Sequence, residues 1–278
     1  MKNYDHLAVV KLAPFVTNVQ LNRPQQRNAL NGNLWQEIGD CFNFLASDPD
    51  TRVVIISGNG RAFCAGLDLK DSQDIIQPPN PDSADDPARR SRRFREKIIS
   101  YQNSFRAIEE CPKPVIAAIH GACIGGGIDL IAACDIRVAA GDSTFCVKEV
   151  DIGMAADTGS LNRLPKICGN ESWVREIALT ARRFGETEAL QHDLVSKVYD
   201  NREDMMKGVQ KMAEIIASKS PVAIQGTKIV LNYARDHTIQ DSLNFVANWN
   251  MSQLITEDVP KAAMAVFQKQ PQPNFAKL

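Results

Sequence analysis

Two glycine-bearing turns and three carboxylates are the residues of this 278-residue chain whose types and spacing suit chemistry. The first turn is Cys64-Ala65-Gly66-Leu67-Asp68-Leu69, and the second runs from Gly121 through Gly125, Gly126 and Gly127 to Asp129. Glycine lets a backbone adopt positive φ and approach a ligand closely. A helix opening after the second turn leaves N–H groups free and adds the positive end of its dipole. Two such groups aimed at one oxygen form an oxyanion hole, where losing one donor typically costs about 3–4 kcal/mol of transition-state stabilisation. The spacing alone also fits tight turns with close helix–strand packing, because glycine is a common turn residue.

The carboxylates are Asp129 in the first helical turn after the glycines, Glu149 after a short strand, and Asp157 among the small residues of 154–159. Positioned acids of this kind move protons. Each also has a structural use. Asp129 can complement a helix N-terminus, Glu149 can end a strand in solvent, and Asp157 can cap a helix near Leu161. The four histidines, at 6, 120, 192 and 237, show no metal-ligand spacing, and His120 reads as a hydrogen-bonded core residue. Neither a phosphate-binding G-x-x-x-x-G-K, a dinucleotide G-x-G-x-x-G nor a nucleophile-elbow G-x-S-x-G is present.

Composition narrows the classes further. Thirty-two basic against thirty-three acidic residues leave a net charge of −1, which argues against a globally basic nucleic-acid binder. Arginines 89, 90, 92, 93 and 95 read as a solvated helix face, with contact to a ligand phosphate as the alternative. Seven cysteines without a C-x-x-C pair fit neither a zinc ribbon nor a secreted disulfide framework. The apolar stretch 115–136 carries Asp129, Asp135 and three consecutive glycines, so no membrane span is expected. Residues 1–6 lack the apolar core of a signal peptide. Ala276-Lys277-Leu278 is a variant of the Ser-Lys-Leu peroxisomal address, a short match that chance also produces.

The elements that must position these residues follow from periodicity. Runs 6–12 and 16–21 read as strands, and 31–45 as a helix with Leu34, Ile38, Phe42 and Leu45 on one face. Residues 52–57 and 115–119 read as buried strands. Between them, a proline-rich surface loop from Leu69 leads into a helix that ends at about Glu110, before Cys111-Pro112. After the glycines come a helix over 128–133 and strands over 136–139 and 144–147. Beyond Leu161 the pattern is mostly helical, over 175–182, 186–192, 204–218, 221–236, 239–256 and 259–269.

Taken together, these segments resemble the crotonase (enoyl-CoA hydratase/isomerase) superfamily. Arg23-Pro24 with Arg27-Asn28-Ala29-Leu30 resembles its N-terminal signature. Segment 61–69 resembles its first oxyanion segment, and 112–121 with 125–135 its second. The resemblance implies an α/β fold, a spiral of ββα turns over 1–200 with a C-terminal helical trimerisation region over 201–278. It implies a homotrimer or homohexamer acting on an acyl-CoA. The oxyanion donors would be the N–H groups of Leu67 and Gly126, and Ala65, Gly66, Leu67, Asp68 and Leu69 would line the coenzyme A site together with Gly126.

The acids resemble one branch in particular. Asp129, Glu149 and Asp157, with the surrounding 147–157 and 224–228, look like the Δ3,5-Δ2,4-dienoyl-CoA isomerases. That likeness implies Glu149 and Asp157 as the proton-transfer pair, with Asp129 as an electrostatic or hydrogen-bonding partner. It implies no metal and no cofactor, the coenzyme A thioester being the substrate. Members of the branch commonly carry a peroxisomal C-terminus, which makes an import receptor a further partner. Two other readings stand beside it: an enoyl-CoA hydratase using Asp129 and Glu149, and a non-catalytic RNA-binding or scaffold protein supported by the arginine cluster alone.

Overall fold

The structure, a computed structural model, describes residues 2–72 and 86–278. Pro78, Pro79 and Pro81 of the expected surface loop lie outside the described residues. The chain opens with an antiparallel hairpin of β1 (Leu7–Ala13) and β2 (Val16–Leu21). Helix α1 (Gly32–Ser47) follows, capped by Asn31 Oδ1, which accepts from Leu34 N at 3.0 Å. Its buried residues Leu34, Trp35, Ile38, Cys41, Phe42 and Leu45 recur at helical spacing, so one face enters the core. Strand β3 (Val53–Gly58) is buried throughout. Helix α2 (Pro87–Glu110) starts with proline in its first turn and is capped by Asp86.

The centre is built of repeating units. In the first, β4 (Val115–Ile119) and β5 (Ala122–Ile124) lead into α3 (Gly126–Ala132). In the second, β6 (Ile136–Ala140) and β7 (Thr144–Cys146) lead through a 3-10 turn at Glu149–Ile152 into α4 (Ser160–Ile167). Each unit places its first strand in one sheet and its second in another. After α5 (Glu171–Thr180) come β8 (Phe184–Gly185), α6 (Glu186–Gln191) and β9 (Lys197–Tyr199). The large sheet has the order β1-β2-β3-β4-β6-β9, parallel except for the hairpin, and the small one β5-β7-β8. This is the expected α/β spiral of ββα turns. Strands β5, β8 and β9 were not anticipated, since two or three residues are too few to show a period.

Alternation along the parallel strands divides the core. Val54, Ile56, Val115, Ala117 and Ile119 face α1 and the central helices. Val53, Ile55, Ile116, Ala118 and Val138 face α7 (Arg202–Ala217), which contributes Met205, Val209, Ala213 and Ala217. Burial on both faces is why these strands read as continuous apolar runs. Three more helices follow, α8 (Pro221–Asp236), α9 (Ile239–Gln253) and α10 (Asp258–Phe267). Lys228 ties α8 to the core, donating to Asp135 at 2.7 Å and to the carbonyl of Lys113 at 3.1 Å. All seven cysteines are free and buried. No helix among the described residues is long and apolar enough to cross a membrane.

Asn28 holds the hairpin end against the first glycine turn. It is fully buried with φ of 56°, a left-handed conformation that asparagine tolerates better than most residues. Its Nδ2 donates to the carbonyls of Asn59, Ala62 and Phe63 at 2.9, 2.8 and 3.1 Å, and its Oδ1 accepts from Arg23 N at 2.9 Å. Asn28→Ala should therefore cost about 2–4 kcal/mol, as buried carbonyls and an amide lose their partner. Urea unfolding measures this, and a loss under about 1 kcal/mol would mean that water replaces the side chain.

Candidate active site

The two glycine turns are brought together by short backbone pairings outside the main ladders. Cys64 pairs with Cys123: Cys64 N donates to Ala122 O at 3.0 Å, and Ile124 N donates to Cys64 O at 2.9 Å. Leu30 pairs with Leu67 in the same parallel manner, through Leu30 N to Gly66 O at 2.7 Å and Asp68 N to Leu30 O at 3.0 Å. In a parallel bridge the flanking residues make the bonds, so the amide of Leu67 itself points away from Leu30. Gly126 is the first residue of α3, where N–H groups have no acceptor within the helix. Two glycines make the approach possible. Gly66 has φ of 88°, and a Cβ there would lie 2.9 Å from Ile124 O. Gly125 has φ of 50°, and a Cβ there would lie 3.1 Å from Glu149 Oε1.

Glu149 thus sits against the second glycine turn, carried by the 3-10 turn after β7. Its Oε2 is buried without a partner among the described residues. Burial, then the nearby charge of Asp129, pushes its carboxyl up to about 7. Asp157 is half-buried and its carboxyl is also raised by burial. Its main-chain carbonyl accepts from Gln102 Nε2 on α2 at 2.7 Å. Asp157 is not the cap foreseen as its alternative, because the N-cap of α4 is Gly159. The α4 terminus is instead served by Asp129, whose Oδ1 accepts from Ser160 N at 2.6 Å. Asp129 is 1% exposed, and burial raises its carboxyl against the lowering effect of the Ser160 amide.

A cleft of about 370 Å³ joins these groups, lined by Ala65, Gly66, Leu67, Leu69, Gly126, Glu149 and Asp157 among others. Asp129 and Asp68 are not among its lining residues. Asp68 turns its carboxylate to Arg23 at 2.9 Å. The arginine cluster does not line the cleft either; Phe94, Lys97, Ile98 and Tyr101 of α2 do. Trp35 also lines it, stacked on Tyr101 with centroids 4.5 Å apart. Sequence reasoning missed these residues, whose signal was an apolar and aromatic set at 94, 98 and 101 within a charged helix. His120 is a core residue as expected, with Nε2 2.9 Å from Gly60 O. A larger basin of about 750 Å³ adjoins the cleft across Thr158. Its central charges are mutually paired, Glu109 with Arg163 at 2.8 Å and with Arg235 at 2.6 Å.

A family model described as enoyl-CoA hydratase/isomerase matches residues 14–277. A Homo sapiens protein named Delta(3,5)-Delta(2,4)-dienoyl-CoA isomerase, mitochondrial, is 52% identical over 264 residues, covering 95% of this chain and 79% of that protein. An Arabidopsis thaliana protein with the same name, but peroxisomal, is 44% identical over 280 residues, covering 100% of this chain and 99% of that one. The crystal structure of an enoyl-CoA hydratase from Bacillus anthracis aligns with a TM-score of 0.87 at 27% identity, covering 98% of this chain and 99% of that chain.

The raised pKa of Glu149 has a thermodynamic consequence. Its ordinary value is 4.5 and its folded value about 7, so the folded state keeps a proton that the unfolded chain releases. This contribution is harmless below 4.5 and is lost progressively as pH rises through 7. The wild type should lose on the order of 2–3 kcal/mol over that interval relative to Glu149→Gln, measured by urea unfolding at a series of pH values. Parallel profiles for the two proteins would mean that Glu149 ionises at its ordinary value.

Proposed function

The chain belongs to the enoyl-CoA hydratase/isomerase family, and from its acids we propose that it is a Δ3,5-Δ2,4-dienoyl-CoA isomerase of unsaturated fatty-acid β-oxidation. The observation that carries this reading is a cleft holding two acids of raised pKa, Glu149 and Asp157, beside the amides of Leu67 and Gly126. The named human and Arabidopsis relatives support it. Shifting a conjugated diene from positions 3 and 5 to positions 2 and 4 removes one proton at C2 and adds one at C6. Electrons move from the C2–H bond into C2=C3, from C3=C4 into C4=C5, and from C5=C6 to the arriving proton. The intermediate is a thioester dienolate, and the two amides stabilise the charge on its oxygen.

Glu149 takes the proton at C2 and Asp157 delivers the one at C6. Two groups suit this reaction because the two carbons are several bonds apart. A carboxyl near neutrality is well matched to a base that must both accept and release a proton. Asp129 is a hydrogen-bonding partner. No electron leaves the substrate, so the scheme needs no redox cofactor, and the amides do the work a Lewis acid would otherwise do. Ala65, Gly66, Leu67 and Leu69 flank the thioester, and Arg27, Lys97 and Arg183 at the cleft supply positive charge for the coenzyme A phosphates. The hydratase reading places its water on Asp129 and Glu149, and Asp129 does not line the cleft.

Assembly as a homotrimer or homohexamer through the C-terminal helices is part of the proposal. Leu254, Ile255 and Phe267 are exposed there by 63, 86 and 87%, an apolar surface that second copies of the chain would cover. Delivery to peroxisomes by an import receptor reading Ala276-Lys277-Leu278 is also proposed, supported by the Arabidopsis relative's name, although the human one is named mitochondrial. Deleting Leu278 should leave a tagged protein in the cytosol, and import of the truncated form would refute the tripeptide as the address.

The activity itself is tested with a 3,5-dienoyl-CoA, which should be converted while a 2-enoyl-CoA is not hydrated. Asp157→Asn should keep acyl-CoA binding and lose roughly 10²–10⁴-fold in turnover, the usual worth of a general acid or base. Near-normal turnover in a stable Asp157→Asn protein would remove the role given to this residue.

A further inference from the structure

Asp129 belongs to the acid set, yet it is buried away from the cleft and bonded to another helix. We propose that Asp129 is a positioning residue, tying the helix that opens at Gly126 to the helix that follows Asp157. It thereby fixes the distance between the oxyanion donors and the distal acid. The inference rests on the isomerase reading for the meaning of that distance.

The tie is short and dry. Asp129 lies three residues after Gly126 within α3. Its Oδ1 accepts from Ser160 N at 2.6 Å, and Ser160 is fully buried as the first residue of α4. Asp157 lies three residues before Ser160, and Gly159 between them adopts φ of 132° and offers no side chain as a cap. A second tether reaches the same loop from α2, where Gln102 Nε2 donates to Asp157 O at 2.7 Å. The loop is therefore held at both ends of a four-residue stretch, once from the wall of the cleft and once from the oxyanion helix. The side chains of Ser160 and Thr158 also act on the Asp129 carboxyl, and the Ser160 amide makes its one close hydrogen bond among the described residues.

The substrate makes this spacing matter. A conjugated dienolate is planar and stiff, so its C6 cannot follow an acid that drifts while its oxygen stays on the amides. A misplacement of about 1 Å can cost about 10²-fold. The requirement is for an acceptor oxygen at Ser160 N, not for a charge. Burial favours the neutral acid at Asp129, so asparagine reproduces both its shape and its acceptor.

The test compares Asp129→Asn with Asp129→Ala for dienoyl-CoA turnover, KM and exchange of the C2 proton with solvent deuterium. Asp129→Asn should lose no more than about tenfold, because the acceptor remains. Asp129→Ala should lose about 10²-fold or more in turnover, while C2 exchange and KM stay within about threefold. If Asp129→Ala does not fold, Asp129→Ser takes its place, being too short to reach the amide. Amide hydrogen exchange at Ser160 reads the tie without any substrate, and should quicken at least about tenfold in the Ala or Ser variant but not in Asp129→Asn. Failure of the wild type to turn over dienoyl-CoA would overturn the isomerase reading, and unchanged Ser160 exchange would overturn the tie. Asp129→Asn as damaging as Asp129→Ala would make the carboxyl a proton carrier. Equal loss of C2 exchange and turnover in Asp129→Ala would make its role one of general stability. Either result overturns the proposal.

Discussion

An amide can serve a substrate only if the protein leaves it without an acceptor, and buried amides without acceptors are costly. The proposed site meets that constraint at two points of one cleft. At Leu67 a parallel bridge to Leu30 gives the bonds to Gly66 and Asp68 and leaves the amide between them without a backbone acceptor among the described residues. At Gly126 the opening of a helix does the same. The surrounding architecture serves these two points. The Cys64–Cys123 pairing holds the segments side by side, and Asn28 fastens the approach to the first of them. The ββα repeat matters because it delivers β5, and with it the second segment, next to the first.

Three carboxyls close together would repel one another if all were ionised, and the fold treats each differently. Asp129 is fully enclosed and receives an amide, Glu149 is enclosed with one oxygen bare, and Asp157 stays half open. Burial raises all three, and the mutual charges add to the rise at Glu149. Each is therefore harder to ionise than an exposed carboxyl, and their titrations are coupled. Burial is the largest cause of the rise at each of the three, and Trp35 and Tyr101 line the same cleft as Glu149 and Asp157.

The fold was legible where burial imposes a period. Short β-rich and apolar runs identified β2, β3 and β4, because each is packed in the core. Strands β5, β8 and β9 were not legible, since tertiary pairing rather than local pattern creates them. The acids themselves could be picked out from residue type and neighbours, but not the direction in which each points. Asp157 looked like a helix cap because it precedes α4, yet the amide of that helix is taken by a residue 31 positions away. Asp68 lies in a segment whose neighbours line the cleft, yet its carboxylate pairs with Arg23 instead. Such choices are made by partners distant in sequence, which no local reading contains.

The seven cysteines carry one more consequence. None is paired and none reaches the surface, and enclosure raises Cys41, Cys64 and Cys134 to about 12. The thiolate is the reactive form, so in the closed fold both access and ionisation withhold these sulfurs from electrophiles. Alkylation must wait for the polypeptide to open, and its rate then counts openings rather than collisions. Cys64 and Cys123 lie in the paired segments behind the amide donors, while Cys41 lies in α1. Mass-resolved labelling at these positions would therefore time the opening of the paired glycine turns separately from that of the helical layer, with native sulfurs as the clocks.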